Sequence, residues 1–179
     1  MKTVKLKDKV FNISYSSEEI QMDIDVLTSK INHDFKDVDT PLFLCVLNGS
    51  FMFAADLMKR IGFACEVTFI RLSSYQGTAS TGVVKELIGL GENIEGRTVI
   101  IVEDIVDTGI TLTGLVEELK KRNPKKISIA ALLFKPDSFK GGVKIDYVGK
   151  SIPNDFIVGY GLDYDGLGRN LPDIYTLAQ

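Results

Sequence analysis

The strongest constraint on the fold of this chain is the alternation of strand-like and helical segments along its middle. Leu42–Leu47 is apolar at every position, which is the pattern of a strand covered on both faces. Residues 67–72, 98–102 and 127–134 have further strand-like patterns, and residues 51–61 have a helical one. Strands that alternate with helices predict an α/β fold with a mostly parallel, doubly wound sheet. Ligands of such a fold bind beyond the carboxyl ends of the strands, so the functional residues are expected there.

The remaining helices are predicted from their end signals and spacing. Ser16 and Glu19 have the spacing of a capping box, and apolar residues follow at helical intervals, which predicts a helix over residues 17–35. The helix after the first strand is expected to end at Gly62. A third helical pattern covers residues 112–119.

The other segments are shorter or more polar. Residues 83–88 have a strand-like pattern, and short strands are predicted around Tyr147 and Ile157. Residues 73–82 are rich in Ser, Thr and Gly and contain almost no apolar residue, so we expect this segment to be mobile.

Length and composition limit the functional classes. The 179 residues suit one domain, 1–179, and a hydrophobic content of 45% with 25% charged residues is typical of a folded, soluble protein. The net charge of −3 comes from mixed signs without a basic stripe, which argues against nucleic acid as a partner. The most apolar stretch, 41–58, is interrupted by polar residues, which argues against a membrane partner.

The cysteines and the histidine indicate neither disulfides nor histidine chemistry. Cys45 and Cys65 lie within or beside apolar runs and lack CxxC spacing, so both are predicted to be reduced core residues of a cytoplasmic protein. The lysine-rich residues 1–10 lack the apolar core of a signal peptide. His33, the one histidine in the sequence, is expected on the polar side of a helix.

Acidic and hydroxyl side chains concentrate between the strand at 98–102 and the helix that follows. We expect Glu103, Asp104 and Asp107 to lie in this turn, where the first two can accept hydrogen bonds from ribose hydroxyls or support a Mg²⁺ ion. The amides at the helix start and two threonine hydroxyls can hold a phosphate monoester, and the glycine among them lets the backbone approach it closely. This predicted phosphate cradle consists of Thr108, Gly109, Ile110 and Thr111.

A purely structural interpretation of the same residues is also available. Asp107 or Thr108 can cap the helix, and the acidic pair can be solvated, as at many strand-to-helix turns. The complete run, in which two acidic residues and Asp-Thr-Gly-x-Thr follow four β-branched residues, is much more specific than Asp-Thr-Gly alone. It favours the phosphate and sugar site.

This run resembles the phosphoribosyl-pyrophosphate motif of type I phosphoribosyltransferases. Further segments, which together cover most of the chain, narrow the resemblance to the hypoxanthine(-guanine) phosphoribosyltransferases. The resemblance implies a small hood built from the N-terminal residues and from about 150–179, added to the single α/β domain. It also implies a flexible catalytic loop at about 73–82, in which Ser74 and Tyr75 resemble the family's catalytic Ser-Tyr pair.

Matched positions later in the chain imply further roles. Lys135 resembles the lysine that contacts the purine 6-oxygen, Phe156 the aromatic residue that stacks on the base, and Ile157 the neighbour whose backbone reads the base edge. Asp163 resembles a carboxylate near a second Mg²⁺ ion, and Arg169 an arginine that binds pyrophosphate. Individually, each residue also fits an ordinary surface or core role.

One position departs from the family pattern. Where the family usually has a basic residue and two glycines, often after a cis peptide bond, this chain has Asn48, Gly49 and Ser50. The amides of Asn48 and Gly49 are still expected to bind pyrophosphate, whereas a lysine side-chain contact is lost.

The implied reaction displaces pyrophosphate from the ribose of phosphoribosyl pyrophosphate and attaches a purine nitrogen in its place. Asp107 is implied as the general base or acid, and Glu103, Asp104 and Asp163 as the residues near Mg²⁺. The implied partners are a 6-oxopurine base, phosphoribosyl pyrophosphate and further copies of the chain in a dimer or tetramer. Two alternatives remain open: a regulator that senses phosphoribosyl pyrophosphate, and a phosphoribosyltransferase for another base such as xanthine.

Overall fold

Two sheets organise the molecule. The computed structural model describes residues 2–73 and 86–178. These residues form ten strands and three α-helices in the chain order β1 (Thr3–Leu6), β2 (Lys9–Tyr15), α1 (Ser17–Phe35), β3 (Leu42–Leu47), α2 (Phe51–Met58), β4 (Glu66–Ser73), β5 (Glu86–Ile88), β6 (Thr98–Val106), α3 (Ile110–Lys120), β7 (Lys126–Phe134), β8 (Tyr147–Ser151), β9 (Ile157–Val158) and β10 (Ile174–Leu177).

The larger sheet has the strand order β5-β4-β3-β6-β7-β8. Strands β4, β3, β6, β7 and β8 are parallel, and β5 pairs with β4 in the antiparallel direction. From β3 the chain proceeds to β4 on one side, while β6 lies on the other side of β3 and is followed by β7. The predicted α/β fold with a mostly parallel, doubly wound sheet is confirmed, and its switch point lies between β3 and β6.

Apolar residues cover both faces of the larger sheet. On one face, α1 and α2 pack side chains such as Ile24 and Leu57 against Phe43 and Cys45 of β3. On the other face, α3 packs against the apolar residues of the neighbouring strands. The predicted apolar positions of α3 are all buried: Leu112, Leu115, Val116 and Leu119. The capping box at Ser16 and Glu19 is present, and α1 has the predicted bounds.

The smaller sheet is antiparallel and brings the two ends of the chain together. Its strand order is β1-β2-β10-β9, with Tyr175 of β10 paired to Ile13 of β2 and to Val158 of β9. Phe11, Val158 and Tyr175 form its buried core. This sheet is the hood that the family resemblance implied.

Helix α2 and strand β6 end at residues other than those predicted from the sequence. Helix α2 ends at Met58 instead of near Gly62. The amides of Arg60 and Ile61 donate hydrogen bonds to carbonyls three residues back, as in a 3₁₀ turn, and not four residues back as in an α-helix. Strand β6 continues to Val106, because Glu103 and Ile105 stay in register with Ala131 and Leu133 of β7.

The structure also describes the two cysteines and the histidine. Cys45 is buried, Cys65 is half-buried, and both are free thiols. His33 is exposed, as predicted. Within the described ranges, none of the helices combines the length and apolar character that a membrane span requires. Of the expected catalytic loop at 73–82, only Ser73 lies within the described residues.

Candidate active site

The predicted site residues collect at the carboxyl ends of the parallel strands. Strands β3 and β6 are neighbours, so Asn48, which follows β3, and Asp107, which follows β6, lie at the same edge of the sheet. Lys135 follows β7 at the next position along this edge, and its amide donates to the carbonyl of Val106 at 2.9 Å. The edge coincides with the switch point of the sheet, where ligands of doubly wound folds bind.

Asp107 and Lys135 form an ion pair. The Nζ of Lys135 lies 3.0 Å from Oδ2 of Asp107. The lysine is only 7% exposed, whereas 47% of the Asp107 side chain is accessible. A buried ammonium is costly without a partner, so Asp107 stabilises Lys135 at this position. Because the carboxylate also reaches solvent, a ligand can approach both groups from one side.

Helix α3 begins with a glycine and without a side-chain cap. Gly109 is the N-cap, with φ of 73°, in the left-handed region that favours glycine. The Asp107 side chain is directed to Lys135, and the Thr108 hydroxyl lies at a long 3.4 Å from the amide of Ile110. The helix-cap interpretation of Asp107 is therefore wrong. The first-turn amides have no acceptor within the helix. Two of the residues that carry them, Ile110 and Thr111, are exposed.

A segment that the sequence analysis did not identify supports this helix start. The ring of Phe139 lies against Gly109, where an added β-carbon would be 2.2 Å from it. The amide of Lys140 donates to the carbonyl of Thr108 at 2.9 Å. The amide of Gly142 donates to Thr113, whose hydroxyl in turn donates to the Gly109 carbonyl. The glycine pair after Phe139 was the available sequence signal for such a close approach.

On the other side of the switch point, Gly49 packs directly against Asp104. A β-carbon at Gly49 would lie 1.6 Å from Oδ2 of Asp104, so only glycine fits there without movement. The peptide bond between Leu47 and Asn48 is cis, as is common in the family pattern. The hydroxyl of Ser50 donates to the carbonyl of Val46 at 2.6 Å and closes this loop.

Asp163 and Arg169 are brought together by a turn in the last third of the chain. An Nη atom of Arg169 lies 2.6 Å from Oδ1 of Asp163, and the other donates to the carbonyl of Gly161 at 2.7 Å. Gly161, which the sequence analysis missed, has φ of 100°, and a β-carbon there would lie 2.0 Å from the carbonyl oxygen of Gly49. Arg169 and Gly49 therefore belong to one packed unit.

The acidic residues of β6 have raised pKa values. Burial, with a smaller effect of Asp163, raises the pKa of Asp104 to about 6, although backbone hydrogen bonds and the positive charge of Arg169 act in the opposite direction. Burial, and then the neighbouring Asp104, raise the pKa of Glu103 well above its ordinary value. The ionised form of such desolvated, mutually repelling carboxyl groups becomes more favourable when a cation approaches.

The donor atoms at this end fit a hard cation that is shared with a substrate. In residues 2–73 and 86–178, no three His, Cys, Asp or Glu side chains are grouped closely enough to hold a metal by themselves. Glu103 and Asp104 are consecutive strand residues, so their side chains point to opposite faces. Mg²⁺ commonly uses one or two carboxylates and completes its coordination with substrate oxygens and water. Asp104, with Asp163 close enough to affect its pKa, suits that mode.

Phe156 and Ile157 lie on the hood. The Phe156 ring is nearly half exposed and contacts the rings of Phe11 and Tyr164, with centroid distances of 6.2 and 5.9 Å. Its carbonyl accepts from the amide of Leu177 at 3.0 Å, which anchors it to β10. Ile157 is half-buried in β9. An accessible, anchored aromatic ring can stack on a planar ligand. Ser74 and Tyr75 lie outside the described residues.

Comparison with protein families and known proteins gives a consistent result. The model of the phosphoribosyl transferase domain matches residues 14–165. A protein of Staphylococcus epidermidis named hypoxanthine-guanine phosphoribosyltransferase is 47% identical over 169 residues, which cover 93% of this chain and 93% of that protein.

Solved structures show the same similarity. A crystal structure of a hypoxanthine phosphoribosyltransferase from Staphylococcus aureus matches with a TM-score of 0.84 and 41% identity, covering 93% of this chain and 91% of that one. A structure of the Trypanosoma cruzi hypoxanthine phosphoribosyl transferase matches with a TM-score of 0.85 and 35% identity, covering 98% of this chain and 95% of that one. The work on that protein concerned the role of its C-terminal region in oligomeric state and enzymatic activity.

Proposed function

Because this chain belongs to the phosphoribosyltransferase family, and within it to the hypoxanthine-guanine phosphoribosyltransferases, we propose that it forms IMP or GMP for purine salvage. The substrates are hypoxanthine or guanine and phosphoribosyl pyrophosphate, and the second product is pyrophosphate. The observation that carries the proposal is the pair of Asp107 and Lys135, which stand 3.0 Å apart at the carboxyl ends of β6 and β7. This pair combines a carboxylate that can exchange a proton with a buried hydrogen-bond donor.

The pair explains how one site recognises a 6-oxopurine and transfers its proton. The Lys135 ammonium donates to a carbonyl at the 6-position and would repel a donor amine there. Asp107 exchanges a proton with the imidazole part of the base as nitrogen bonds to the ribose, a contribution of roughly 10²- to 10⁴-fold. A base whose carbonyl accepts from the Lys135 ammonium also lies next to Asp107, because the two side chains are 3.0 Å apart. Base recognition and proton transfer are then coupled.

The two ends of phosphoribosyl pyrophosphate bind to different elements. Its 5′-phosphate binds to the amides and hydroxyls between Thr108 and Thr111 at the start of α3. Its pyrophosphate binds to the amides of Asn48 and Gly49 and to Arg169, whose guanidinium can make two parallel hydrogen bonds to phosphate oxygens. The ribose lies between them, close to Glu103 and Asp104. Phe156 stacks on the base, and the backbone of Ile157 reads its edge.

Mg²⁺ is part of this proposal, with Asp104 and Asp163 as the residues that would hold it, and Glu103 nearby. When bound, it would offset the charge of the pyrophosphate and so assist its departure. Arg169 keeps the leaving group oriented through its contacts with Asp163 and Gly161. We also include Ser74 and Tyr75 of the 73–82 segment as residues that exclude water from the reacting ribose.

The test is an assay of pyrophosphate release with a panel of bases and phosphoribosyl pyrophosphate. We expect release with hypoxanthine and guanine, little release with adenine or uracil, and loss of turnover after chelation of divalent cations. Binding of phosphoribosyl pyrophosphate without turnover would overturn the proposal and favour the sensing regulator. Turnover with xanthine alone would favour the other alternative. Full activity after exhaustive chelation would remove Mg²⁺ from the proposal.

We further propose that the protein forms a homo-oligomer through the outer part of the larger sheet. On β4, Val67 and Phe69 are 41% and 45% exposed, and Phe51 at the start of α2 is 41% exposed. Val67 and Phe69 are two residues apart in β4 and therefore lie on the same face of the sheet, and contiguous exposed apolar residues are typical of surfaces that pack against another molecule. Light scattering should give a dimer or tetramer for the wild type and a smaller species for Phe69→Glu. Leu167→Glu, which changes an equally exposed residue on the hood, should leave the mass unchanged.

A cytoplasmic location is the last part of the proposal. Cys45 and Cys65 are free, and burial, with a smaller effect of Glu103, raises the pKa of the Cys45 thiol to about 12. Thiols that stay protonated and unpaired suit a reducing compartment. Cell fractionation with a thiol-labelling reagent tests this directly.

A further inference from the structure

Tyr160 occupies an unusual position between two glycines of the hood. It is 2% exposed and has φ of 49°, a backbone conformation that residues with side chains rarely adopt. Its hydroxyl donates to Oδ2 of Asp56 on α2 at 2.5 Å and lies 3.3 Å from the amide nitrogen of Gln21 on α1. The side chain therefore reaches from the hood to both helices on one face of the larger sheet.

Asp56 is a strong acceptor for this hydroxyl. Burial acts to raise the pKa of its carboxyl, but the hydrogen bonds from Lys59, Tyr160 and Gln21 outweigh burial and lower it. An ionised carboxylate makes shorter and stronger hydrogen bonds than a neutral acceptor does. The contact between Tyr160 and Asp56 is thus a firm link between the hood and α2.

The backbone next to Tyr160 holds Arg169. The amide of Gly161 donates to the carbonyl of Arg169 at 3.0 Å, and the guanidinium of Arg169 donates back to the carbonyl of Gly161 at 2.7 Å. The amide of Tyr160 donates to the carbonyl of Leu171 at 2.8 Å. The position of the guanidinium therefore depends on where the Tyr160–Gly161 backbone lies.

The same backbone also supports the loop after β3. A β-carbon on Gly161 would be 2.0 Å from the carbonyl oxygen of Gly49, and one on Gly49 would be 1.6 Å from the carboxylate of Asp104. These contacts form a continuous path from Asp56 through Tyr160 and Gly161 to the groups that face pyrophosphate. Asp107, Lys135 and the start of α3 lie on the other side of the switch point and have no place in this path.

We propose that Tyr160 is a positioning residue. Through the hydrogen bond from its hydroxyl to Asp56, it fixes the position of the pyrophosphate-binding half of the site. It touches no substrate; it holds the turn that carries Arg169 and supports Gly49. This inference rests on the proposed function, because it assigns those residues to pyrophosphate. Removing the hydroxyl should loosen the pyrophosphate half while the base and 5′-phosphate contacts stay in place.

The test compares Tyr160→Phe with Tyr147→Phe. Tyr147 is a matched control, since it is also a buried tyrosine whose hydroxyl donates to a carboxylate, that of Asp34, at 2.7 Å, but it lies away from the path. Steady-state kinetics give the KM of phosphoribosyl pyrophosphate and of hypoxanthine separately. Calorimetry in the same magnesium buffer gives the affinities for pyrophosphate and for IMP without turnover.

For Tyr160→Phe we expect the KM of phosphoribosyl pyrophosphate and the Kd of pyrophosphate to rise between about five- and thirtyfold, in line with the loss of one charge-assisted hydrogen bond. The KM of hypoxanthine and the Kd of IMP should change less than about twofold. Tyr147→Phe should leave all four values near those of the wild type.

Equal changes for both substrates, equal effects of both variants, or unchanged pyrophosphate affinity would overturn the inference while the wild type remains active. A wild-type protein that releases no pyrophosphate from any base would overturn the proposed function instead. In that case the calorimetric affinity for pyrophosphate still decides whether Tyr160 organises this half of the site.

Discussion

At the scale of single residues, the proposed chemistry rests on the pair of Asp107 and Lys135, and each side chain has a reason for its position. Lys135 is buried at the end of β7 and needs a counter-charge, which Asp107 provides from the end of β6 at 3.0 Å. Asp107 remains accessible because it does not cap α3, whose N-cap is Gly109. Because the two side chains are paired, the proton-transfer role of Asp107 is tested by measuring the reaction rate and the nucleotide affinity of one variant separately.

Replacement of Asp107 by Asn tests the proton-transfer role. Asn keeps the size and polarity of the side chain but cannot accept a proton, so we expect nucleotide formation from hypoxanthine to slow by roughly 10²-fold or more. Affinity for the nucleoside monophosphate should change much less, because the lost interaction is made mainly in the transition state. Single-turnover kinetics and calorimetric binding of IMP give the two quantities. Near-wild-type chemistry would remove Asp107 from the mechanism.

Asp104 illustrates the cost of keeping a carboxylate in the site. Its folded-state pKa is raised from 3.8 to about 6, so ionisation destabilises the folded protein as pH rises from about 4 to 6. At pH 7.5 this ionisation lowers the free energy of unfolding by roughly 2 to 3 kcal/mol. Asp104→Asn removes the charge. Urea unfolding should therefore show that the variant is more stable than the wild type at pH 7.5. Below pH 4, where the carboxyl is protonated in both states, the gain should vanish; a less stable variant at pH 7.5 would contradict this account.

At the scale of elements, the sequence predicted the strands and helices of the larger sheet but not where α2 and β6 end. The acidic residues Glu103 and Asp104 looked like the start of a turn, because charged side chains seldom lie in a buried strand. Their place in β6 follows from pairing with β7, where Glu103 lies opposite Ala131. The register of a neighbouring strand is a long-range property that a local pattern does not contain.

The contacts that organise the two halves of the site were equally hidden. Phe139 lies against Gly109, and Gly161 lies against the carbonyl of Gly49, although these partners are far apart in the chain. Spacing identified the groups that carry charge and hydrogen-bonding capacity, such as Lys135. It could not identify the apolar ring and the glycine that hold those groups in place, because their roles depend on tertiary packing.

The loop between β3 and α2 supplies a prediction at this scale. In Gly49→Ala the new β-carbon would overlap the Asp104 carboxylate at 1.6 Å, so the loop or the carboxylate must move. Displacement by about 1 Å can reduce a rate about 10²-fold, and we expect a loss of that order in kcat/KM for phosphoribosyl pyrophosphate. Gly62→Ala is the control, since its nearest neighbour is a side-chain oxygen at 3.7 Å. Equal activity of the two variants would mean that the loop does not support the pyrophosphate.

At the scale of the whole molecule, the hood must be held on the larger sheet, because it contributes Phe156, Asp163 and Arg169 to the proposed site. One buried carboxylate links several parts of this assembly. Asp173 is nearly inaccessible and accepts hydrogen bonds from the amide of Ser17 at 2.9 Å, from the hydroxyl of Tyr175 at 3.1 Å and from the Lys2 ammonium. It connects the N-terminal segment, the start of α1 and β10.

Replacement of Asp173 by Asn should destabilise the protein, since Asn can no longer accept all of these hydrogen bonds as an anion. The bond from Lys2, which outweighs the effect of burial, and the bonds from Ser17 and Tyr175 hold the pKa of Asp173 below its usual 3.8. A lowered folded-state pKa contributes stability that is present above about pH 4 and is lost as pH falls through the folded-state value.

Urea unfolding at pH 7 should therefore show Asp173→Asn to be about 1 to 3 kcal/mol less stable than the wild type, a loss expected for a buried hydrogen-bonded carboxylate. The difference should shrink in measurements from pH 4 down to pH 2. Asp165→Asn provides the matched control, because Asp165 also pairs with a lysine of the N-terminal segment, Lys7, at 2.8 Å but is mostly exposed. It should lose less than about 1 kcal/mol at any pH. If both variants lose the same small amount at pH 7, the hood is held by its apolar contacts alone and Asp173 has no special part in joining it to the larger sheet.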